Sequence, residues 1–194
     1  MMQISNSTER WGFVSMAFHW IVALLVIFMW GLGYAMTHLI EDLQTKFEYF
    51  QLHKSIGLTV LLLAFLRLVW RLTHRGPALP SDLKPYERGL AHLTHYGLYA
   101  ILFLMPLLGL ISADTSELTI PTRIFDLFAL PTIFGPTEWL HDLAKGGHEL
   151  LGWALLGLLV LHVGAALKHH FILKDETLRR MLPFAGSSRH GDNQ

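Results

Sequence analysis

The sequence predicts an all-α protein: a bundle of four transmembrane helices in a single membrane domain, with an interfacial loop between the third and fourth helices. Charged residues make up 15% of the 194 residues and hydrophobic residues 52%, whereas soluble domains typically contain about 25% charged residues. The apolar residues are concentrated in four stretches. Each stretch has close to the ~20 residues that a helix needs to cross the hydrocarbon core of a bilayer.

Charge and cysteine content exclude several functional classes. The formal net charge is +0, so nothing indicates a nucleic-acid partner, and we expect none. The chain has no cysteine, which excludes iron–sulfur clusters held by thiolates and the covalent attachment of a c-type haem. Any haem must therefore be held without covalent links.

The predicted spans are residues 11–36, 50–72, 92–113 and 148–167. Pro106 lies in the third span, where neighbouring helices can satisfy the carbonyl group that proline leaves without a partner. Residues 114–147 contain three prolines among apolar residues and are too broken for a span. We expect them to form a lid or interfacial segment over the outer end of the bundle. The polar tail after residue 183 is expected to be disordered.

Basic residues predict the orientation of the bundle. They are concentrated between the second and third spans and in the C-terminal tail, at Arg75, Lys84, Arg88, Lys168, Lys174, Arg179 and Arg180. Because cytoplasmic segments of membrane proteins carry an excess of Lys and Arg, both termini are expected in the cytoplasm. The first and third loops then face outward.

Four histidines near the ends of the apolar segments are the strongest functional signal, since an ionisable side chain at membrane depth is costly and usually functional. His148 and His162 are 14 residues apart on one span, which places them on one helix face about 21 Å apart. The first span enters the membrane from the inner side, which places His19 at the depth of His162. The second span enters from the outer side, which places His53 at the depth of His148. The spacing therefore predicts the pairs His19–His162 and His53–His148.

Two imidazoles that face each other across a helical bundle suit the axial positions of a haem iron. A non-haem metal is disfavoured because the pairs lack supporting carboxylates or cysteines. Gly57 and Gly152 follow His53 and His148 by one turn and would let a flat macrocycle approach the backbone. Small residues also permit simple helix packing, so both interpretations stay open.

Five further residues are candidates for a role beside these pairs. Arg67 and Arg71, four residues apart, could pair with haem propionates or serve as interfacial anchors. Lys54 could hold a propionate or attract an anion to the outer site. His95, on one face with His92, could bind a propionate or a quinone. His169 lies seven residues after His162 and is the candidate catalytic residue, as a proton donor or quinone contact.

The order and spacing of several motifs resemble bacterial cytochrome b561 over nearly the whole chain, from about residue 10 to residue 183. The motifs are Phe18-His19-Trp20, Leu52-His53-Lys54-Ser55-Ile56-Gly57, Arg67-Leu68-Val69-Trp70-Arg71, Gly89-Leu90-Ala91-His92, His148-Glu149, Leu161-His162, Lys168-His169-His170, Lys174-Asp175 and Leu178-Arg179-Arg180-Met181. The resemblance implies a bacterial inner-membrane cytochrome with two haem b groups. It assigns the axial ligands to His19, His53, His148 and His162.

The resemblance also implies electron exchange with ubiquinone, and one branch of the family is similar to superoxide:ubiquinone oxidoreductases. We therefore expect an oxidoreductase that passes electrons between an outer donor, a small anion such as superoxide or a protein, and the quinone pool. An alternative is the cytochrome b anchor subunit of a periplasmic hydrogenase or formate dehydrogenase. A histidine-lined transporter is a third class, which the absence of paired acidic residues in the spans disfavours.

Overall fold

A computed structural model of the chain describes residues 3–78, 83–118 and 120–183. Within these ranges the long helices are α1 (Phe13–His38), α2 (Leu43–Thr73), α3 (Pro85–Asp114) and α4 (Glu138–Leu167), and a small hairpin is formed by β1 (Arg123–Ile124) and β2 (Phe128–Ala129). A π-helical turn, Lys168–Leu173, continues α4, and a 3₁₀ turn, Arg179–Met181, follows it. The expectation of a disordered tail after residue 183 concerns residues outside the described ranges.

The four helices are long and apolar enough to cross a membrane, which confirms the predicted all-α membrane bundle. Helix α1 packs on α2, α2 on α3, and α3 on α4. All four contribute to one buried apolar cluster, formed by Val22, Val26, Val60, Ala64, Ile101, Leu102 and Leu155. On α4, for example, Leu155 lies midway between His148 and His162. Apolar side chains therefore separate the two ends of the bundle. After the predicted orientation, the end with His53 and His148 is called the outer end and the end with His19 and His162 the inner end.

Three helices begin earlier than the predicted spans, by seven residues in α2 and α3 and by ten in α4. Hydropathy marks the length that needs lipid, whereas a helix can continue through the polar headgroup region. Asp42 caps α2 by accepting the N–H of Thr45 at 2.8 Å, and that hydrogen bond holds the pKa of Asp42 below its ordinary value. The extra turns of α4 are packed, because Ala144 is buried and His141 Nδ1 donates to the Ser112 carbonyl at 2.8 Å.

The loop between α3 and α4 folds over the outer part of α2. Strands β1 and β2 pair antiparallel, and the turn between them holds Phe125 and Asp126 at positive φ. The buried Ser55 hydroxyl accepts the N–H of Phe125 at 3.0 Å and lies 3.1 Å from the Arg123 carbonyl oxygen. Gln51 binds the loop backbone with its amide nitrogen on the Pro121 carbonyl at 2.9 Å. Gln51 and Ser55 flank His53 along α2, so the loop is anchored beside a candidate ligand.

Candidate functional site

The outer histidine pair joins α2 to α4. The ring centroids of His53 and His148 are 6.1 Å apart, and the two ring planes are inclined by 69°. His148 Nδ1 lies 2.9 Å from the Met105 carbonyl oxygen, and because a carbonyl only accepts, the proton belongs on Nδ1. The Nε2 atom of His148 therefore keeps a lone pair for a metal.

His53 completes the outer pair from α2. Its Nδ1 atom is buried and has no hydrogen-bond partner in the described part of the chain. Nothing there fixes one tautomer of the ring. Either nitrogen of His53 can therefore present a lone pair.

Two glycines that the sequence argument missed make room for the outer pair. A Cβ on Gly33 of α1 would lie 3.4 Å from His53 Cε1, and a Cβ on Gly109 of α3 would lie 3.1 Å from His148 Cε1. The glycines named from the sequence have other neighbours: a Cβ on Gly57 or Gly152 would meet a methionine methyl group at 3.6 or 3.5 Å. Those distances are ordinary contacts, so Gly57 and Gly152 fit helix packing.

The inner histidine pair joins α1 to α4 and has a third histidine beside it. His19 and His162 have ring centroids 6.1 Å apart with an interplanar angle of 64°, and the His95 ring is 5.4 Å from that of His162. A terminal guanidinium nitrogen of Arg67 donates to His19 Nδ1 at 3.1 Å. A neutral imidazole has one lone-pair nitrogen, so the contact from Arg67 and a metal would compete for His19.

A cleft beside the inner pair combines cationic and aromatic side chains. It is lined by Trp11, Ser15, Arg67, Trp70, Arg71, Tyr99 and Met181. The guanidinium carbons of Arg67 and Arg71 lie 5.5 and 5.6 Å from the Tyr99 ring centroid, and the Tyr99 hydroxyl is buried without a hydrogen-bond partner in the described ranges. No ion pair joins either arginine to a carboxylate among the described residues. The cleft therefore offers two guanidinium groups and a hydroxyl to an anion.

Both pairs have the spacing that a shared metal requires. An imidazole nitrogen binds a first-row transition metal at about 2 Å, which places the ring centres of two opposed imidazoles about 6 Å apart. No group of three or more His, Asp or Glu side chains in the described ranges is arranged to hold a metal ion. Two opposed imidazoles, glycines at the ring edges and an arginine cleft are the parts that a haem with propionate groups needs, so the residues fit that cofactor.

Comparison with known proteins agrees with this geometry. The family model of prokaryotic cytochrome b561 matches residues 10–184. The chain belongs to the prokaryotic cytochrome b561 family. It is 36% identical over 182 residues to cytochrome b561 homolog 2 of Escherichia coli K12, covering 93% of this chain and 95% of that protein. It is also 28% identical to the probable superoxide oxidase CybB of Yersinia pestis, covering 90% and 97% of the two chains.

Membership makes this protein a membrane cytochrome of the b type, for which haem is the expected cofactor. A cytochrome b562 of Cereibacter sphaeroides is a further relative, 27% identical over 84% of this chain and 89% of that one. The family model spans residues 10–184, so both histidine pairs lie in the region that it matches.

The remaining candidates are distributed over both ends of the bundle. Lys54 lies beside His53 and is half-buried, and His169 lies in the π-helical turn, where it contacts Asp175. His95 joins the inner group, whereas His92 is exposed and stacks on Tyr96 with ring centroids 6.1 Å apart. The ligand and anchor roles of these residues stay predictions.

Proposed function

We propose that this cytochrome lies in the bacterial inner membrane with both termini in the cytoplasm and binds two haem b groups. It would pass electrons from an outer donor to ubiquinone. The observation that supports this proposal best is the pair of matching histidine gaps, each with ring centroids 6.1 Å apart. The members of the two pairs that lie on α4, His148 and His162, are about 21 Å apart along the helix axis. Each haem supplies one-electron redox chemistry when bound, and the protein supplies ligation and electrostatic tuning.

The side chains at the inner end would hold and tune the cofactor. His19 and His162 would provide the axial nitrogens, and Arg67 and Arg71 would bind propionates through the cleft described above. His95 would donate to a propionate or to a quinone, because its ring lies 5.4 Å from that of His162. His169, seven residues further along, would contact the quinone or exchange protons with it.

The outer end would receive electrons from a small anion. His53 and His148 would provide the axial nitrogens there, and Lys54 would attract the anion. The likeness to a protein named as a probable superoxide oxidase supports superoxide as the donor. The overall reaction would convert two superoxide ions, one quinone and two protons to two dioxygen molecules and one quinol.

A visible spectrum and a two-step reaction test this proposal. Purified protein should contain about two haem b groups per chain, since each needs two axial ligands. Enzymatically generated superoxide should reduce the haems, added superoxide dismutase should prevent that reduction, and a soluble ubiquinone analogue should reoxidise them. Protein that takes up no haem when haem is supplied, or that superoxide does not reduce, would contradict the proposal.

The outer loop supports one second candidate, the cytochrome b anchor subunit of a periplasmic hydrogenase or formate dehydrogenase. Leu118, Leu127 and Ile133 in this loop are 74%, 80% and 78% exposed, and apolar side chains of this kind can contact a partner protein. Co-purification of a stoichiometric subunit with iron–sulfur clusters would favour this candidate. Catalysis of superoxide oxidation by the isolated chain would favour the first.

A further inference from the structure

At the inner end of α4 the chain reverses direction, which places the carboxylate of Asp175 beside His169. The helix widens into the π-helical turn Lys168–Leu173, after which Lys174 adopts a left-handed conformation with φ of 56°. The His169 carbonyl accepts the N–H of Lys174 and also that of Asp175, the latter at 3.1 Å. This reversal places the Asp175 side chain against the His169 ring, and π-helical turns of this kind occur often at functional sites.

Both oxygens of the Asp175 carboxylate are engaged. One accepts a hydrogen bond from His169 Nδ1, and the other accepts the backbone N–H of Thr177 at 2.8 Å. The side chains of His169 and Asp175 are only 15% and 23% exposed. Burial raises the pKa of Asp175, but the hydrogen bonds from His169 and Thr177 outweigh burial and hold that pKa below its ordinary value. Asp175 is therefore an anion at neutral pH.

An anionic acceptor on Nδ1 determines what the other ring nitrogen can do. It keeps a proton on Nδ1 and orients the ring, so Nε2 is the ring nitrogen left for a second partner. The segment that follows Asp175 is fastened over the inner ends of the helices, because Trp20 Nε1 donates to the Met181 carbonyl and Arg10 donates to the Leu182 carbonyl, both at 2.8 Å. The pair is thereby held in place about 10 Å along the helix from His162.

We infer that Asp175 is the positioning residue of a proton-transfer pair, in which His169 Nε2 delivers protons to the quinone at the inner end of the bundle. This inference rests on the proposed reduction of quinone. Conversion of a quinone to a quinol takes two electrons and two protons. The electrons would come from the outer donor through the haem that His19 and His162 would hold. The protons would come from water on the inner side, which reprotonates Nε2 after each transfer.

The test compares two electron acceptors on the full-length holoprotein. Reduced protein is mixed in a stopped-flow instrument with a ubiquinone analogue, which takes up protons, or with ferricyanide, which does not. Asp175→Asn should slow reoxidation by quinone about tenfold, a typical effect of losing the carboxylate partner of a histidine, and should leave reoxidation by ferricyanide unchanged. Asp175→Glu should restore most of the quinone rate, and imidazole added to His169→Ala should restore part of it.

Glu176→Gln is the matched control, because Glu176 is the neighbouring acid on the same segment and pairs with Arg179 at an exposed position. Equal slowing with both acceptors in Asp175→Asn would show a structural role and overturn the inference. An unchanged quinone rate in Asp175→Asn, beside a wild-type protein that quinone does reoxidise, would overturn the inference alone. A wild-type protein that quinone does not reoxidise would overturn the proposed function and this inference with it.

Discussion

The two histidine pairs have the same spacing but different surroundings. The outer pair lies among glycines, a methionine carbonyl and a docked loop, and one of its rings, His148, already has a lone pair directed away from its hydrogen bond. The inner pair has a third histidine, two arginines and an aromatic cleft beside it, and Arg67 occupies the lone pair of His19. Equal ring spacing is thus combined with glycines, a loop and the half-buried Lys54 at the outer end, and with two arginines and a third histidine at the inner end.

This difference indicates that the two ends of the bundle have different roles in electron transfer and proton uptake. A haem held by the loop-covered outer pair would need only to exchange electrons, and Lys54 beside His53 would attract an anionic donor. The inner end has titratable side chains within reach of the ligands, as a reaction that takes up protons requires. The comparison therefore predicts that substitutions at one end will affect one haem and leave the other unchanged.

The largest expected effect is the loss of one haem. His148→Ala removes an axial ligand of the outer pair, and because the inner pair lies about 21 Å along the helix, the haem content should fall from about two per chain to about one. A pyridine haemochrome assay measures the content. His141→Ala is the control, since His141 lies on the same helix but binds the Ser112 carbonyl. Loss of both haems from a folded chain, or of neither, would contradict the pairing.

The next effect tests the space around the outer ring. Gly109→Ala would set a methyl group 3.1 Å from His148 Cε1 and Nδ1, which displaces the ring and its hydrogen bond to Met105. We expect about tenfold weaker binding of the outer haem, as is usual when a ligand loses its supporting contacts. Haem titration of the apoprotein measures this affinity.

Gly152→Ala is the matched control, because its methyl group would meet Met105 Cε at an ordinary 3.5 Å. Equal effects of the two alanines would show that general helix packing, rather than the approach to His148, accounts for the result.

A smaller effect should appear in the redox potentials. Arg67→Gln removes a positive charge beside His19, which disfavours the reduced haem, and the inner midpoint potential should fall by tens of millivolts, on the order expected for a partly screened charge. Potentiometric titration measures both potentials, and His148→Ala identifies which belongs to the inner site. Arg75→Gln, an exposed position beyond α2, should change neither. Equal shifts of both potentials would remove the distinction between the two ends.

The smallest effect concerns the outer loop. Ser55→Ala leaves the Phe125 N–H without its acceptor, a loss of about 0.5–1.5 kcal/mol for a typical hydrogen bond, and the hairpin should detach from α2 more often. Tryptic cleavage after Arg123 should then become faster while the haem content stays constant. Thr59→Val is the control, since the Thr59 hydroxyl donates to the Ser55 carbonyl within its own helix and not to the loop, among the described residues. Equal cleavage rates in both variants would show that Ser55 does not anchor the loop.

The sequence was most informative where chemistry depends on helical spacing. Fourteen residues between His148 and His162 convert directly into one helix face and a known separation, and the alternating direction of spans assigns His19 and His53 to their depths. The structure brings these pairs together, and it places the His95 ring beside that of His162. Helix α4 begins ten residues before the predicted span, because Lys145, Gly146 and Gly147 lower the hydropathy without ending the helix.

Other features depended on contacts that spacing does not encode. Gly33 and Gly109 lie on α1 and α3, neither of which carries the outer histidines, so their approach to His53 and His148 follows only from how the helices pack. Asp175 reaches His169 because the helix widens and then reverses at Lys174, a departure from 3.6-residue periodicity that no hydropathy pattern signals. Pro121, Pro131 and Pro136 predicted a broken loop, but not its attachment to Gln51 and Ser55.

The sequence by itself predicted four long apolar helices, the family and the pairing of the histidines, because an apolar length and a helical period are local properties of the chain. Only the tertiary structure decided what surrounds each pair: glycines and a docked loop at the outer end, arginines and a histidine–carboxylate pair at the inner end. Those neighbours come from segments far apart in sequence, and their positions depend on the packing of every helix between them.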